Sequence, residues 1–169
     1  EIGMFPQIDG KSGWQGCNLT EINGGKCVTK EDFFLACRAG AILGTLQAGY
    51  TDFKFLPDTT KDIFDREALL GVSITGWMNN PDILFDENIL EKGAKIVKEV
   101  NREVAKVIKI NPAARTTCVK PSGTVSQLTD AASGIETNVP LRKEVICEEC
   151  RGNGSENGKA FHTCNICNG

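Results

Sequence analysis

The sequence predicts an α/β fold built from parallel β-α-β units, followed by a small cysteine-rich tail. Three observations carry this. Residues 70–76, LGVSITG, form an apolar run bounded by glycine, as a buried strand does. Residues 87–110 repeat apolar positions at helical spacing, and residues 116–119 give a second short apolar run. Strand, long helix and strand in that order imply parallel pairing, because the crossover helix returns the chain to the same end of the sheet. The third observation is a change of composition near residue 138. Core formers thin out there and cysteine pairs begin, so residues 1–137 and 138–169 divide the chain.

Taken in order, residues 1–26 are rich in glycine and read as loop with one short strand over 17–22. Thr29 is an N-cap, with Glu31 and Asp32 in the first turn where the helix dipole favours acids. Phe33, Phe34, Cys37, Ala41 and Ala48 follow as one apolar stripe, and Gly49-Tyr50 ends the helix. The small residues along it predict close packing on another element. A shorter helix is predicted over 60–69, with Ile63, Phe64 and Ala68 inward. Trp77 closes the strand at 70–76 as a core or rim residue, and 77–81 reads as a loop. Asp86 caps the long helix. Its inner stripe runs from Ile89 to Ile108 and its outer face is lysine- and glutamate-rich, a solvated surface.

The 169 residues suffice for one ordinary core with an appendage. A net charge of −3 with dispersed lysines leaves no basic footprint for nucleic acid. No apolar run approaches the roughly 18 residues of a membrane span. Eight cysteines fall into two groups, Cys17, Cys27, Cys37 and Cys118 against the pairs Cys147/Cys150 and Cys164/Cys167. Paired CxxC without a secretion signal implies metal or redox work in a reducing compartment, so the expected location is cytoplasmic.

One stretch organises the larger part. Residues 115–136 read RTTCVKPSGTVSQLTDAASGIE. The short strand ends at Lys120-Pro121, because proline offers no N–H to a ladder. Ser122, Gly123, Thr124, Val125 and Ser126 then form a small-residue loop opening a helix. Backbone N–H groups and hydroxyls at the carboxyl end of a parallel strand suit a phosphate. A plain turn with a serine cap is the competing reading.

Three motifs in order resemble the ribonucleotide reductases, most closely the adenosylcobalamin-dependent class. The stretch 115–136 resembles that family's substrate-phosphate loop. Residues 71–76, GVSITG, resemble a barrel strand, and residues 16–23, GCNLTEIN, resemble the stretch bearing a reducing cysteine. The resemblance implies that 1–137 forms part of a ten-stranded α/β barrel. It implies that Glu1 accepts the proton of the ribose 3′-hydroxyl and that Cys17 is one half of a reducing dithiol, whose family partner lies earlier in the chain. Nothing in the sequence marks Cys27, Cys37 or Cys118 for that role, and they read as core residues. The resemblance further implies that residues 122–126 hold the nucleotide phosphates, that adenosylcobalamin supplies the radical, and that a thioredoxin-type reductant restores the thiols. An iron-radical class follows the same plan. The radical cysteine would lie two positions before Glu1, so activity is expected to need the remainder of such a reductase. After Ile135 the sequence departs from the family.

In the tail, Cys147-Glu148-Glu149-Cys150-Arg151-Gly152-Asn153-Gly154 matches CxxCxGxG, and Cys164-Asn165-Ile166-Cys167-Asn168-Gly169 begins a second copy after a 13-residue spacer. Two CxxC knuckles supply four thiolates for one tetrahedral Zn²⁺. The pattern resembles the cysteine-rich zinc module of DnaJ-type chaperones. A mobile redox pair is the competing reading of the same cysteines, and His162 reads as a surface residue. Two functions follow from the sequence. One is ribonucleotide reduction by a thiyl-radical route. The other is a non-catalytic zinc-binding interaction module on a reductase-derived remnant.

Overall fold

A computed structural model describes residues 7–120 and 122–132. Two short strands, β1 (Gln7–Ile8) and β2 (Lys11–Ser12), pair antiparallel across Asp9-Gly10. Both turn residues have positive φ, at 50° and 77°. This is the geometry that an Asp-Gly hairpin turn supplies.

The central element is a parallel pair, β3 (Asn18–Asn23) and β4 (Leu70–Thr75), registered from Asn18 opposite Leu70 to Asn23 opposite Thr75. Between them run α1 (Lys30–Ala48) and α2 (Asp58–Glu67). After β4 come a 3-10 turn at Trp77–Asn79, the one-turn α3 (Pro81–Leu84) and the long α4 (Glu87–Ile108). The last described helix is α5 (Val125–Leu128).

The helices begin where side chains satisfy their first N–H groups. The Thr29 hydroxyl accepts from Asp32 N while the Asp32 carboxylate accepts from Thr29 N, a complete capping box. The Asp86 carboxylate accepts from Ile89 N at the start of α4. Helices α2 and α4 end on left-handed residues, Ala68 and Lys109.

Small residues let α1 lie flat on the sheet. A Cβ on Gly40 would meet Val72 at 3.1 Å, and one on Gly44 would meet Leu70 at 3.2 Å. Helix α4 packs on α1 in the same manner, for a Cβ on Gly93 would stand 2.7 Å from the Phe33 ring. The core of Ile22, Phe33, Cys37, Ala41, Leu70, Val72, Val97 and Val100 fills this side. A buried polar bridge ties it together. Asn101 Nδ2 donates to Thr45 Oγ1 at 2.9 Å, and Asn101 Oδ1 accepts from Ala113 N at 2.9 Å.

The structure corrects the expected architecture. The parallel sheet among the described residues has two strands, not a portion of a ten-stranded barrel. Residues 115–118 run parallel along the free edge of β4, with Leu70 N donating to Arg115 O, Val72 N to Thr116 O and Cys118 N to Val72 O. They add one bridge, Val72 to Thr117, and no full strand. The pairing with β4 stops where Cys118 N donates to Val72 O, and two residues on Lys120 is paired with Glu21 of β3. A barrel also needs each strand paired on both edges, and among the described residues β3 pairs with β4 alone. The predicted loop at 77–81 is helical instead, and Val107, expected in the inner stripe of α4, is 78% exposed.

Candidate functional site

Side chains alternate across a strand. With Thr20, Ile22, Leu70 and Val72 turned to α1, the other face carries Leu19, Glu21 and Asn23 from β3, and Gly71, Ser73 and Thr75 from β4. This face, turned away from α1, is where polar groups gather.

The segment from Lys120 to Ala132 is strapped to the carboxyl ends of both strands. The Glu21 side chain, 7% exposed, accepts from Lys120 Nζ and from Ser122 Oγ, the latter at 2.6 Å. Asn23 Nδ2 donates to Thr129 O at 2.6 Å. Thr75 Oγ1 and Gly76 N both donate to Ala132 O, at 2.7 and 2.8 Å, and Asn79 Oδ1 accepts from Ala132 N at 2.9 Å. Ser73 Oγ and Asn23 Oδ1 are buried on this face with no hydrogen-bond partner among the described residues.

The five loop residues expected at a phosphate are placed as follows. Ser122, with φ of 40°, gives its proton to Glu21. Gly123, with φ of 56°, is exposed, and a Cβ there would meet nothing within 4 Å. Thr124 and Val125 are exposed, and Ser126 is buried with its hydroxyl donating to Gly123 O at 2.7 Å. Helix α5 is one turn long, so its dipole is small. Lys120, two residues before the loop, is matched by Glu21.

Cys17 lies just before β3 and Cys118 at the end of the bridging segment, both half-buried. Their sulfurs meet above Gly71, where a Cβ would stand 3.0 Å from Cys17 Sγ and 2.9 Å from Cys118 Sγ. Cys27 and Cys37 sit in the core. Burial, with the neighbouring Cys27, pushes the Cys37 thiol up to about 12, and burial, with Asp32 nearby, raises that of Cys27. Neither presents a thiolate near neutral pH. Glu1 and the four tail cysteines, Cys147, Cys150, Cys164 and Cys167, lie outside the described residues.

Sequence reasoning missed Glu21, Lys120, Ser73 and Cys118. The available signal for the first was a carboxylate alternating with Leu19 and Asn23 in a run that otherwise reads as a buried strand. Cys118 carries no such signal, since its neighbour across the sheet is set by register. A cavity of about 340 Å³ lies against α4, with Thr117 and Cys118 of the bridging segment in its lining. Its lining includes Val72, Ile74, Trp77, Leu90, Val97 and Val119 and is mostly apolar, so it offers little to a phosphate.

Comparison with known proteins finds likeness over about a quarter of the chain. It is 40% identical over 42 residues to the chaperone protein DnaJ of Porphyromonas gingivalis, covering 25% of this chain and 11% of that protein. It is 44% identical over 43 residues to DnaJ of Rickettsia prowazekii, covering 25% and 12%. The corresponding match to DnaJ of Staphylococcus carnosus is 45% over 40 residues, covering 24% and 11%. The chain thus spans about a ninth of the length of the first of these relatives. They are chaperones by name, not reductases. No family model matches the chain, and no solved structure matches it. Among the described residues, no helix is long and apolar enough to cross a membrane.

Proposed function

We propose that the chain is a zinc-binding interaction module, in which Cys147, Cys150, Cys164 and Cys167 hold one Zn²⁺. The 40% to 45% identity to DnaJ chaperones over about 42 residues supports this reading. The donor set fits the metal: four soft thiolates in two CxxC knuckles close a tetrahedral site and leave no position for a catalytic water. Such a site couples metal binding to folding of the segment that carries it. The partner we propose is a polypeptide. A net charge of −3 disfavours a nucleic acid, and the similar proteins are chaperones. Metal analysis of freshly reduced protein is expected to give one zinc per chain, and Cys150→Ser is expected to lose it. Reduced protein without zinc overturns the reading.

A second reading is nucleotide reduction by the α/β part, and the polar face of the sheet supports it. Glu21, Lys120 and Ser122 gather there toward the carboxyl ends of parallel strands, while Cys17 lies on the same face at their amino end, over Gly71. On this reading residues 122–126 hold the phosphates and Cys17 supplies reducing equivalents. Adenosylcobalamin has no recognisable cradle among the described residues. Equilibrium dialysis with a labelled ribonucleoside triphosphate and diphosphate tests the reading. Saturable binding, weakened at least tenfold by Lys120→Met, is expected. Absence of binding at millimolar nucleotide overturns it.

A further inference from the structure

Gly71 lies near the start of β4, on the face turned away from α1, between β3 and the bridging segment. A Cβ on it would stand 2.9 Å from Cys118 Sγ, 3.0 Å from Cys17 Sγ and 2.5 Å from Leu19 Cδ2. With no methyl at residue 71, Leu19 and the two sulfurs close over its Cα. Each being within 3.0 Å of one point, they are no more than about 6 Å apart. Both residues are half-buried, whereas Cys27 and Cys37 are buried.

We propose that Cys17 and Cys118 form a redox pair that closes a disulfide over Gly71. A bond requires the sulfurs to approach to about 2 Å. Rotation of both side chains and a shift of residues 115–118 bring them together. That segment is held to β4 by the Val72–Thr117 bridge and three backbone hydrogen bonds, of which the one from Cys118 N to Val72 O must loosen. The oxidant is a low-molecular-weight disulfide. The thiolate of one cysteine attacks it, forming a mixed disulfide and releasing one small thiol. The second thiolate attacks the protein sulfur of that mixed disulfide, forming the Cys17–Cys118 bond and releasing the second small thiol. The protein pair loses two electrons and two protons, and the reagent gains both. The pairing rests on neither reading given above. It also differs from the family likeness, which places the partner of Cys17 earlier in the chain.

The test uses the full zinc-loaded chain, reduced, freed of reductant, incubated with oxidised glutathione and capped with N-ethylmaleimide. Non-reducing tryptic mapping is expected to show the peptide 12–26 joined to the peptide 116–142. Cys17→Ser and Cys118→Ser should each abolish the cross-link, while Cys27→Ser should leave it. Gly71→Ala keeps both thiols but its methyl displaces Leu19 and both sulfurs, and should lower the yield at least fivefold. Should that variant not fold, the serine variants still decide. Glutathione on Cys17 and Cys118 without a cross-link overturns the proposal, as does Cys17 joined to a tail cysteine.

Discussion

The Glu21–Lys120 pair is the fastening of the candidate site, and its strength can be worked out. The Glu21 side chain is 7% exposed and that of Lys120 is 21% exposed, so both charges are largely withdrawn from water. Removing one partner of a buried pair costs about 3–5 kcal/mol, because the other charge is left uncompensated. Lys120 keeps some hydration, which puts the cost of Glu21→Gln nearer 2–3 kcal/mol, on the order of the lower end of that range. The glutamine still accepts from Ser122, so that bond survives. Lys120→Met should cost about 2 kcal/mol on the same reasoning. The double variant removes both charges and should cost less than the two singles together, with a coupling of about 1–2 kcal/mol. Urea unfolding of the four proteins gives the cycle. Amide exchange over residues 122–132 should speed up in both singles, because the segment is strapped to β3 through Glu21. Single-variant costs that add to within about 0.3 kcal/mol would refute the coupling and the fastening role with it.

Two further perturbations address the fold beneath the site. Asn101→Leu removes both hydrogen bonds that join α4 to Thr45 and to Ala113 N, leaving a buried donor unmatched. It should cost about 2–3 kcal/mol in urea unfolding, and a change under about 0.5 kcal/mol would show the bridge to be idle. The Cys37 thiol, pushed up to about 12 by burial, should make stability depend on alkaline pH. The fold holds the thiol neutral, so its contribution is fully present below the unfolded thiol value of about 8.5 and is lost as pH rises toward the folded value. Cys37→Ala should flatten the fall in stability between about pH 9 and pH 12. Identical slopes in the two proteins would remove Cys37 from that titration.

The helices were legible because their signals are local. Thr29 and Asp86 are hydroxyl and carboxylate caps at the head of apolar stripes, and both accept the N–H groups expected of them. The strand at 70–75 was legible as an apolar run between glycines, and the one at 18–23 as a short strand read over 17–22 within glycine-rich loop. The Asp9-Gly10 hairpin carries an equally local signal that a loop reading passed over. The architecture was not legible in that way. Whether residues 116–119 complete a strand depends on pairing with β4 at long range, and the segment gives one bridge. An expectation of many strands, taken from family likeness, had no local test within the chain.

The candidate site shows the same division. Its position at the carboxyl ends of parallel strands follows from the order strand, helix, strand. Its chemistry does not, because it depends on which side chains the register turns to one face. Glu21 stands opposite Ser73 and Leu19 opposite Gly71. A shift of one residue would turn Glu21 into the apolar side under α1 and Ile22 out of it. Gly71 sharpens the point. Read alone, it is a glycine in a strand, a position that usually weakens a sheet. In register it is the one place where the sulfurs of Cys17 and Cys118 find room together. The glycine earns meaning only from its neighbours on both flanking segments. A serine or alanine there would preserve the strand pattern in every local respect and remove the feature that brings two thiols within reach.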